Sequence, residues 1–343
     1  MQTSNLTDPA ADAAGHSPGL VLRTFAGEAD LPDVVRIQNA EWAADGTPAR
    51  MSVGEYRAEW SHPSEKFDPA RDVRIAELDG QVVGFTQSDW VDTRDGLREY
   101  RSGGAVDPAF RRRGIGTALL ADRMAAARQL DTGYSHDHPR VLGMWLDERN
   151  VAGAALARRF GYEPVRWFFD MERQIDGDLP AIEPLPDGLE LRPMPDEGAW
   201  QLWQADHEAF LDHWGGHDDS VASFQRWLET PEYDPSLFLL AWDGDEIAAG
   251  VINAIYDAEN EELGLNRGWL ASVFTRRQWR RRGLARNLIA RSLHLLRERG
   301  LTGAALGVDA DNPSGALGLY QSAGFVVTER GSAYRRPLGD TSR

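Results

Sequence analysis

Residues 111–116 read Arg-Arg-Arg-Gly-Ile-Gly, and residues 280–285 read Arg-Arg-Arg-Gly-Leu-Ala. Each stretch follows a β-type apolar run and precedes a run of helical spacing, so each should open a helix. The first N–H groups of a helix lack carbonyl partners and carry partial positive charge, which attracts phosphate. At Gly114 and Gly283 a Cβ would obstruct backbone donors from wrapping an anion, while Gly116 and Ala285 keep the first helical turn slim. The arginines can add charge-assisted bonds from the rim. Other phosphate loops fit worse, because a dinucleotide fingerprint needs glycine where Leu119 stands and a P-loop needs Gly-Lys-Ser/Thr.

The bulk composition narrows the ligand. Among 343 residues, 37 Lys and Arg face 54 Asp and Glu, a net charge of −17. That balance argues against nonspecific duplex or anionic-membrane binding, so the triplets are not part of a basic face, and no nucleic-acid or membrane partner is expected. Cysteine is absent, which excludes a disulfide framework, a thiolate metal site and a cysteine nucleophile. No run of about 18 apolar residues suggests a membrane span. Residues 1–18 are polar and acidic and read as a flexible tail without a signal-peptide pattern, so a cytoplasmic location is expected. Lys66 is the only lysine.

The elements that must position the two loops repeat. Gly19–Arg23 (GLVLR) returns as Gly188–Arg192 (GLELR), and both this pair and the arginine stretches are offset by 169 residues (188 − 19 and 280 − 111). Between the copies, a Pro-, Gly- and Asp-rich stretch reads as a linker at residues 175–187. The expected domains are therefore 19–174 and 188–343, each a mixed α/β unit of roughly 150 residues. In each, a strand and helical segments precede a hairpin, with turns expected at Asp79-Gly80 and Asp243-Gly244. The next strand, ending at Gly103–Val106 or Leu270–Thr275, leads into the loop. A helix follows, with Ile115, Leu119 and Met124 or Leu284, Leu288 and Leu295 on its apolar face. Last come another strand, a helix led by Asn150 or Asn312, and a Gly-aromatic turn at Gly161-Tyr162 or Gly324-Phe325.

The pattern Arg-x-x-Gly-x-Gly/Ala between a central strand and a helix resembles the acetyl-CoA pyrophosphate loop of the GCN5-related N-acetyltransferases (GNAT), duplicated in tandem. The resemblance covers residues 19–174 and 188–338. It implies a predominantly antiparallel, bent α/β sheet flanked by helices, whose two central strands splay apart around pantetheine. It further implies that acetyl-CoA contacts Val106, Arg111, Arg112, Arg113, Gly114, Ile115, Gly116, Thr117 and Asn150 in the first half. In the second half it implies Phe274, Thr275, Arg280, Arg281, Arg282, Gly283, Leu284, Ala285, Arg286 and Asn312.

Acetyl transfer to an amine needs a neutral nucleophile, donors for the developing oxyanion and an acid for the departing thiolate. Members of this family often carry a tyrosine four residues before the Gly of the Gly-aromatic turn. That position is Tyr320 in the second half and Ala157 in the first, so catalysis is expected only in the second. A phenol is a weaker acid than a thiol by about two kcal/mol at reference pKa values, a gap that a local shift can reduce. Candidate bases are Glu262, with Glu261 beside it, and Asp309. Proton loss through ordered water is also open. His213 and Trp214, in the acidic stretch His207–Asp219, are candidates for the acceptor pocket. His213 and His217 are four apart, but Gly215-Gly216 breaks the helix that a metal pair would need, so no metal is expected. The expected acceptor is a small-molecule amine. The alternatives are a non-catalytic acyl-CoA sensor and a nucleic-acid binder that would show steep salt dependence. Oligomeric state is not legible in these residues.

Overall fold

In the computed structural model, which describes residues 18–134, 138–216, 218–312 and 315–339, both arginine-glycine stretches lie between a strand and a helix. Residues 1–17 of the expected N-terminal tail lie outside the described residues. The chain runs β1 (Leu20–Thr24), α1 (Leu31–Asp45), α2 (Val53–Glu59), α3 (Pro69–Asp72), β2 (Val73–Leu78), β3 (Gln81–Asp92), β4 (Arg98–Val106), α4 (Ile115–Asp131), β5 (Arg140–Asp147), α5 (Val151–Arg159) and β6 (Glu163–Gln174). It continues as β7 (Leu189–Leu191), α6 (Ala199–Ala209), α7 (Val221–Leu228), β8 (Leu239–Asp243), β9 (Glu246–Ala254), α8 (Asp257–Leu263), β10 (Arg267–Thr275), α9 (Leu284–Glu298), β11 (Gly303–Asp309), α10 (Ala316–Ser322) and β12 (Val326–Pro337).

Local chemistry explains the turns. Asp79 and Gly80 both take left-handed φ, 53° and 82°, the pair that a two-residue hairpin with strand-matching twist requires. In the second hairpin Asp243 pairs with Glu246, so the turn is centred on Gly244-Asp245, one residue later than expected, with φ of 56° at Gly244. One-turn 3-10 helices, Pro108–Phe110 and Arg277–Trp279, separate each central strand from its loop.

The chain forms two compact units, and they are not the linear halves 19–174 and 188–343. Unit 1 comprises residues 1–165 and 332–343, and unit 2 residues 166–331. In unit 1 the strand order is β1, β2, β3, β4, β5, with the final part of β12 beside β5. In unit 2 it is β6, β11, β10, β9, β8, β7, with β6 antiparallel to β11 from Phe168↔Asp309 to Gln174↔Gly303. Each unit thus takes its last strand from the other half of the sequence. The exchanged strands are anchored by charge: Arg335 pairs with Glu99 in unit 1, and Arg166 pairs with Asp309 in unit 2, each by two hydrogen bonds of 2.8–2.9 Å.

The expected linker is not a free tether but a strap within unit 2. It has no helix or strand, yet Ile175 is fully buried, Asn287 donates to the Glu183 carbonyl, and the His294 ring nitrogen lies 3.1 Å from the Pro180 carbonyl. Its polar backbone finds its partners on the outer face of α9.

On its inner face α9 buries Leu284, Leu288, Leu293 and Leu296 in one cluster with Leu270, Ala304 and Leu306 of the sheet. Each such leucine contributes about 1.5–3 kcal/mol. Leu295, placed on this face by spacing, is only partly buried, and Leu296 fills the position. In unit 1, α4 buries Ile115, Leu119 and Met124 as its spacing predicts.

In both units the two parallel central strands pair only at their beginnings. β4 and β5 pair from Arg98↔Arg140 to Arg101↔Gly143, and β10 and β11 from Arg267↔Gly303 to Trp269↔Ala305. Beyond these points the strands run unpaired with one another toward the loops.

Candidate active site

The two loops share an unusual backbone. Arg112 and Gly114 take φ of 67° and 80°, and Arg281 and Gly283 take 62° and 81°. Left-handed residues placed within an otherwise right-handed or extended run turn successive N–H groups toward one concavity, an anion nest. The left-handed arginines cost about 1 kcal/mol each, strain of the kind that persists where a ligand is gripped. A Cβ on Gly283 would meet nothing within 4 Å, so the positive φ, rather than the expected obstruction, is what selects glycine there. Gly116 does keep the helix slim, since a Cβ there would lie 3.3 Å from the Leu156 side chain.

The first arginine of each triplet does not reach out from the rim. Arg111 makes two hydrogen bonds to Asp45, 2.6 and 2.9 Å, at the end of α1. Arg280 donates to Asp212 (2.7 Å) and to the carbonyls of Ala209 and Thr275 (2.9 and 3.0 Å). Arg280 and Arg277 together hold the Asp212 carboxyl well below the usual carboxylate range. These arginines clamp the loop to the preceding helix. The Arg113 guanidinium lies 5.1 Å from the centre of the Phe110 ring, and Arg282 donates to the Asp187 carbonyl. Arg112, Arg281 and Arg286 are exposed. The side chains of Ile115, Leu284 and Phe274 are in the core, which leaves only their backbone available to a ligand.

In unit 1 the loop borders a cleft of about 580 Å³, lined by Val106, Gly114, Gly116, Thr117 and Asn150 among others. Asn150 caps α5 as expected, accepting the Gly153 N–H at 2.7 Å. Asn312 does not begin its helix. α10 starts at Ala316 after a left-handed Gly315 (φ 75°), whose N–H donates to the Asn312 carbonyl, and Pro313 lies outside the described residues. In unit 2, Thr275 stands where unit 1 has Val106, and its hydroxyl is buried without a hydrogen-bond partner. An orphaned hydroxyl beside the nest is a fitting contact for an acyl-CoA.

A second difference between the units lies at the splay. β10 pairs with β9 through a register shift between Leu270 and Ser272, leaving Ala271 outside the ladder where β10 parts from β11. The equivalent ladder in unit 1 runs without a shift from Gly84↔Val106 to Asp92↔Arg98. Tyr320, on α10, is 7 % exposed, and burial pushes its phenol up to about 12. That shift widens the phenol–thiol gap rather than reducing it. Ala157, its counterpart, is fully buried.

The expected bases fare unevenly. Glu261 and Glu262 are exposed on α8, and Asp309 is held by Arg166. Asp206 on α6, one residue before the acidic stretch, was not singled out by its sequence. It accepts from the Ser272 hydroxyl next to the bulge, and burial pushes its carboxyl up to about 6. In unit 1, Glu41 lines the cleft and burial raises it to about 7. His213 packs against Phe210 (4.3 Å between ring centres), and burial lowers its pKa. Trp214 lies 6.0 Å from Phe168 and 5.9 Å from the Arg166 guanidinium. Both therefore adjoin the Arg166–Asp309 pair. His217 lies outside the described residues, among which no group of three or more His, Asp or Glu could hold a metal. No helix of the described residues is long and apolar enough to cross a membrane.

A model of the GNAT acetyltransferase family matches residues 199–325, and a GNAT acetyltransferase domain model matches residues 69–164. The mycothiol acetyltransferase of Thermobispora bispora is 33% identical over 67% of this chain and 74% of its own. The chain belongs to the GNAT family. The mycothiol acetyltransferase of Geodermatophilus obscurus is 29% identical over 320 residues, 90% of this chain and 94% of its own. Among solved structures, a GNAT from Sphaerobacter thermophilus has a TM-score of 0.68 at 26% identity and covers 94% of this chain and 97% of its own. The tandem GNAT protein from the clavulanic acid biosynthesis pathway shares the fold, with a TM-score of 0.65 at 18% identity over 94% and 99% of the two chains. The protein is a tandem GNAT, an acetyl-CoA-dependent N-acetyltransferase.

Proposed function

We propose that this acetyltransferase acetylates a primary amine of a small molecule in unit 2, while unit 1 holds acetyl-CoA without turnover. The carrying observation is a difference between two like sites. Both have the nest beside splayed strands, but unit 2 adds Tyr320 and the Ala271 bulge where unit 1 has Ala157 and an unshifted ladder. The name of the relatives, mycothiol acetyltransferase, supports a small-molecule acceptor.

Acetyl-CoA supplies the activated thioester. The Ala271 amide, free of the ladder, meets charge developing on the carbonyl oxygen as the C–N bond forms. Tyr320 gives its phenolic proton to the sulfur as the C–S bond breaks. Its pKa of about 12 against a reference thiol near 8.5 would make that transfer uphill by roughly 5 kcal/mol. Burial raises the thiol as well, so the difference across the closed site is smaller. Asp206, through Ser272, accepts the proton that the amine loses. His213 and Trp214 line the acceptor side, with acidic neighbours that attract a cationic amine.

An amine-panel assay of CoA release tests the reading, and no turnover with any amine would leave only acyl-CoA binding. Asp206 is expected to ionise as pH rises through about 6, so kcat/KM should rise there. Asp206→Asn should remove that acidic limb and lower kcat/KM about 10–100-fold, whereas Glu262→Gln should change it less than about twofold. An unchanged limb in Asp206→Asn would exclude Asp206 as the base.

Titration of the full chain should resolve two CoA sites. Gly114→Ala and Gly283→Ala each force a side chain into left-handed backbone, costing about 1–2 kcal/mol, so each should weaken one site roughly 5–30-fold. Only Gly283→Ala should slow turnover. One CoA per wild-type chain would remove the role assigned to unit 1.

A further inference from the structure

Glu41 of α1 lines the CoA cleft of unit 1 together with the nest residues Gly114 and Gly116, and its side chain is 12 % exposed. We propose, on the reading that unit 1 holds acetyl-CoA, that Glu41 takes up a proton when the ligand binds there, so that this site loses affinity as pH rises.

The surroundings of Glu41 leave its charge poorly compensated. Arg111 makes two hydrogen bonds to Asp45 and reaches Glu41 only at 3.6 Å, so one guanidinium serves two carboxylates. The Val106 N–H, on the stretch of β4 that β5 does not pair, also donates to Glu41. Tyr56 of α2 is within its field, but that phenol donates to Gln38 and is held neutral by burial. The other charged residues of the cleft lining, Arg112 and Arg159, are exposed. Burial therefore pushes the Glu41 carboxyl up to about 7, against the pull of Arg111 and the Val106 N–H and with Asp45 adding to the rise.

Acyl-CoA brings its phosphates to the nest beside Arg111 and displaces water from the cleft. Added negative charge and lost hydration both disfavour a carboxylate, so the pKa of Glu41 rises on binding and a proton enters with the ligand. With a value of about 7 in the free protein and a higher one in the complex, affinity is full below pH 7 and falls as pH rises from there toward the bound value. In unit 2 the residue four before the clamping Asp212 is Glu208, as Glu41 is four before Asp45. The Glu208 side chain is 45 % exposed and pairs with Arg276 at 2.7 Å, where solvent and a cation of its own screen it from a bound anion. Unit 2 thus has no equivalent of Glu41 at that position.

Isothermal titration of the full chain with acetyl-CoA, without amine, between about pH 7 and pH 8.5 tests this. Buffers of different ionisation enthalpy count the protons, and an Asp206→Asn background silences the buried carboxyl of unit 2. The affinity of the site that Gly114→Ala weakens should fall about fourfold or more across that range, with uptake of about half a proton at pH 7.5. Glu41→Gln should abolish the uptake and raise the affinity of that site at pH 8.5 about eightfold or more. Arg111 keeps Asp45 in this variant, and removal of a carboxyl that burial disfavours should leave the melting temperature at pH 8 equal or higher. Two sites whose affinities and proton uptake are unchanged by Glu41→Gln, or loss of binding in that variant, would overturn the role of Glu41 while leaving unit 1 a CoA site. A single acetyl-CoA per wild-type chain would instead remove the CoA reading of unit 1, and this role with it.

Discussion

Tyr320→Phe is expected to lower kcat for acetyl transfer by about 10²–10⁴-fold, with CoA affinity held within about threefold. The ring is packed, 6.3 Å from Phe325 between centres, and phenylalanine preserves that packing while removing only the hydroxyl. The loss should therefore fall on kcat rather than on folding or cofactor binding. Burial holds the phenol protonated up to about pH 12, so the acid is in its donating form throughout the neutral range. It follows that wild type should show no basic limb in kcat below about pH 10, and that the variant should keep the acidic limb of the base. Ala157→Tyr in unit 1 should gain no activity, because the ladder beside it has no bulge. Turnover in Tyr320→Phe at the wild-type rate would reject the acid and return unit 2 to a binding role.

The contrast between Tyr320 and Ala157 was legible in the sequence because each lies four residues before the Gly of its Gly-aromatic turn, a comparison that needs no coordinates. The strand–loop–helix order was legible for the same reason, since hydrophobic periodicity and turn residues are local signals. What escaped depends on partners distant in the chain. β6 and β12 follow the Gly-aromatic turns of their own halves, and nothing in their alternation says which sheet edge they join. The bulge at Ala271 is a property of register against β9, not of the residues LASVFT themselves. Arg111 and Arg280 looked like phosphate ligands until Asp45 and Asp212, 66 and 68 residues away, were found to hold them. Asp206 is an ordinary helical aspartate in sequence, and only burial in the folded unit, outweighing the Ser272 hydrogen bond that lowers it, gives it a raised pKa. Asn312 illustrates the reverse error, a cap signal displaced by the left-handed glycine three residues later.

The strand exchange makes a prediction about folding that the linear halves would not. Ending the chain at Gly331 leaves unit 2 its full complement of residues but removes from unit 1 the segment 332–343. Tyr334 and Leu338, both buried in the cluster with Tyr100, Leu142 and Phe160, go with it, a loss of roughly 3–6 kcal/mol. Glu99, 7 % exposed at its side chain, is left without Arg335, and breaking a buried pair in this way costs about 3–5 kcal/mol. The two losses together, about 6–11 kcal/mol, are comparable with the whole stability of a domain. The truncated chain is therefore expected to lose the unfolding transition of unit 1 and one CoA site, measured by calorimetry and titration, while unit 2 still melts cooperatively. Glu99→Ala in the full chain leaves Arg335 paired with Asp95, 2.7 Å away, so it should lower the stability of unit 1 by less than about 3 kcal/mol in denaturant titration. A truncated chain that kept the wild-type transition of unit 1 would mean that β5 does not need β12, and that the exchanged strand contributes nothing to the fold that carries the first CoA loop.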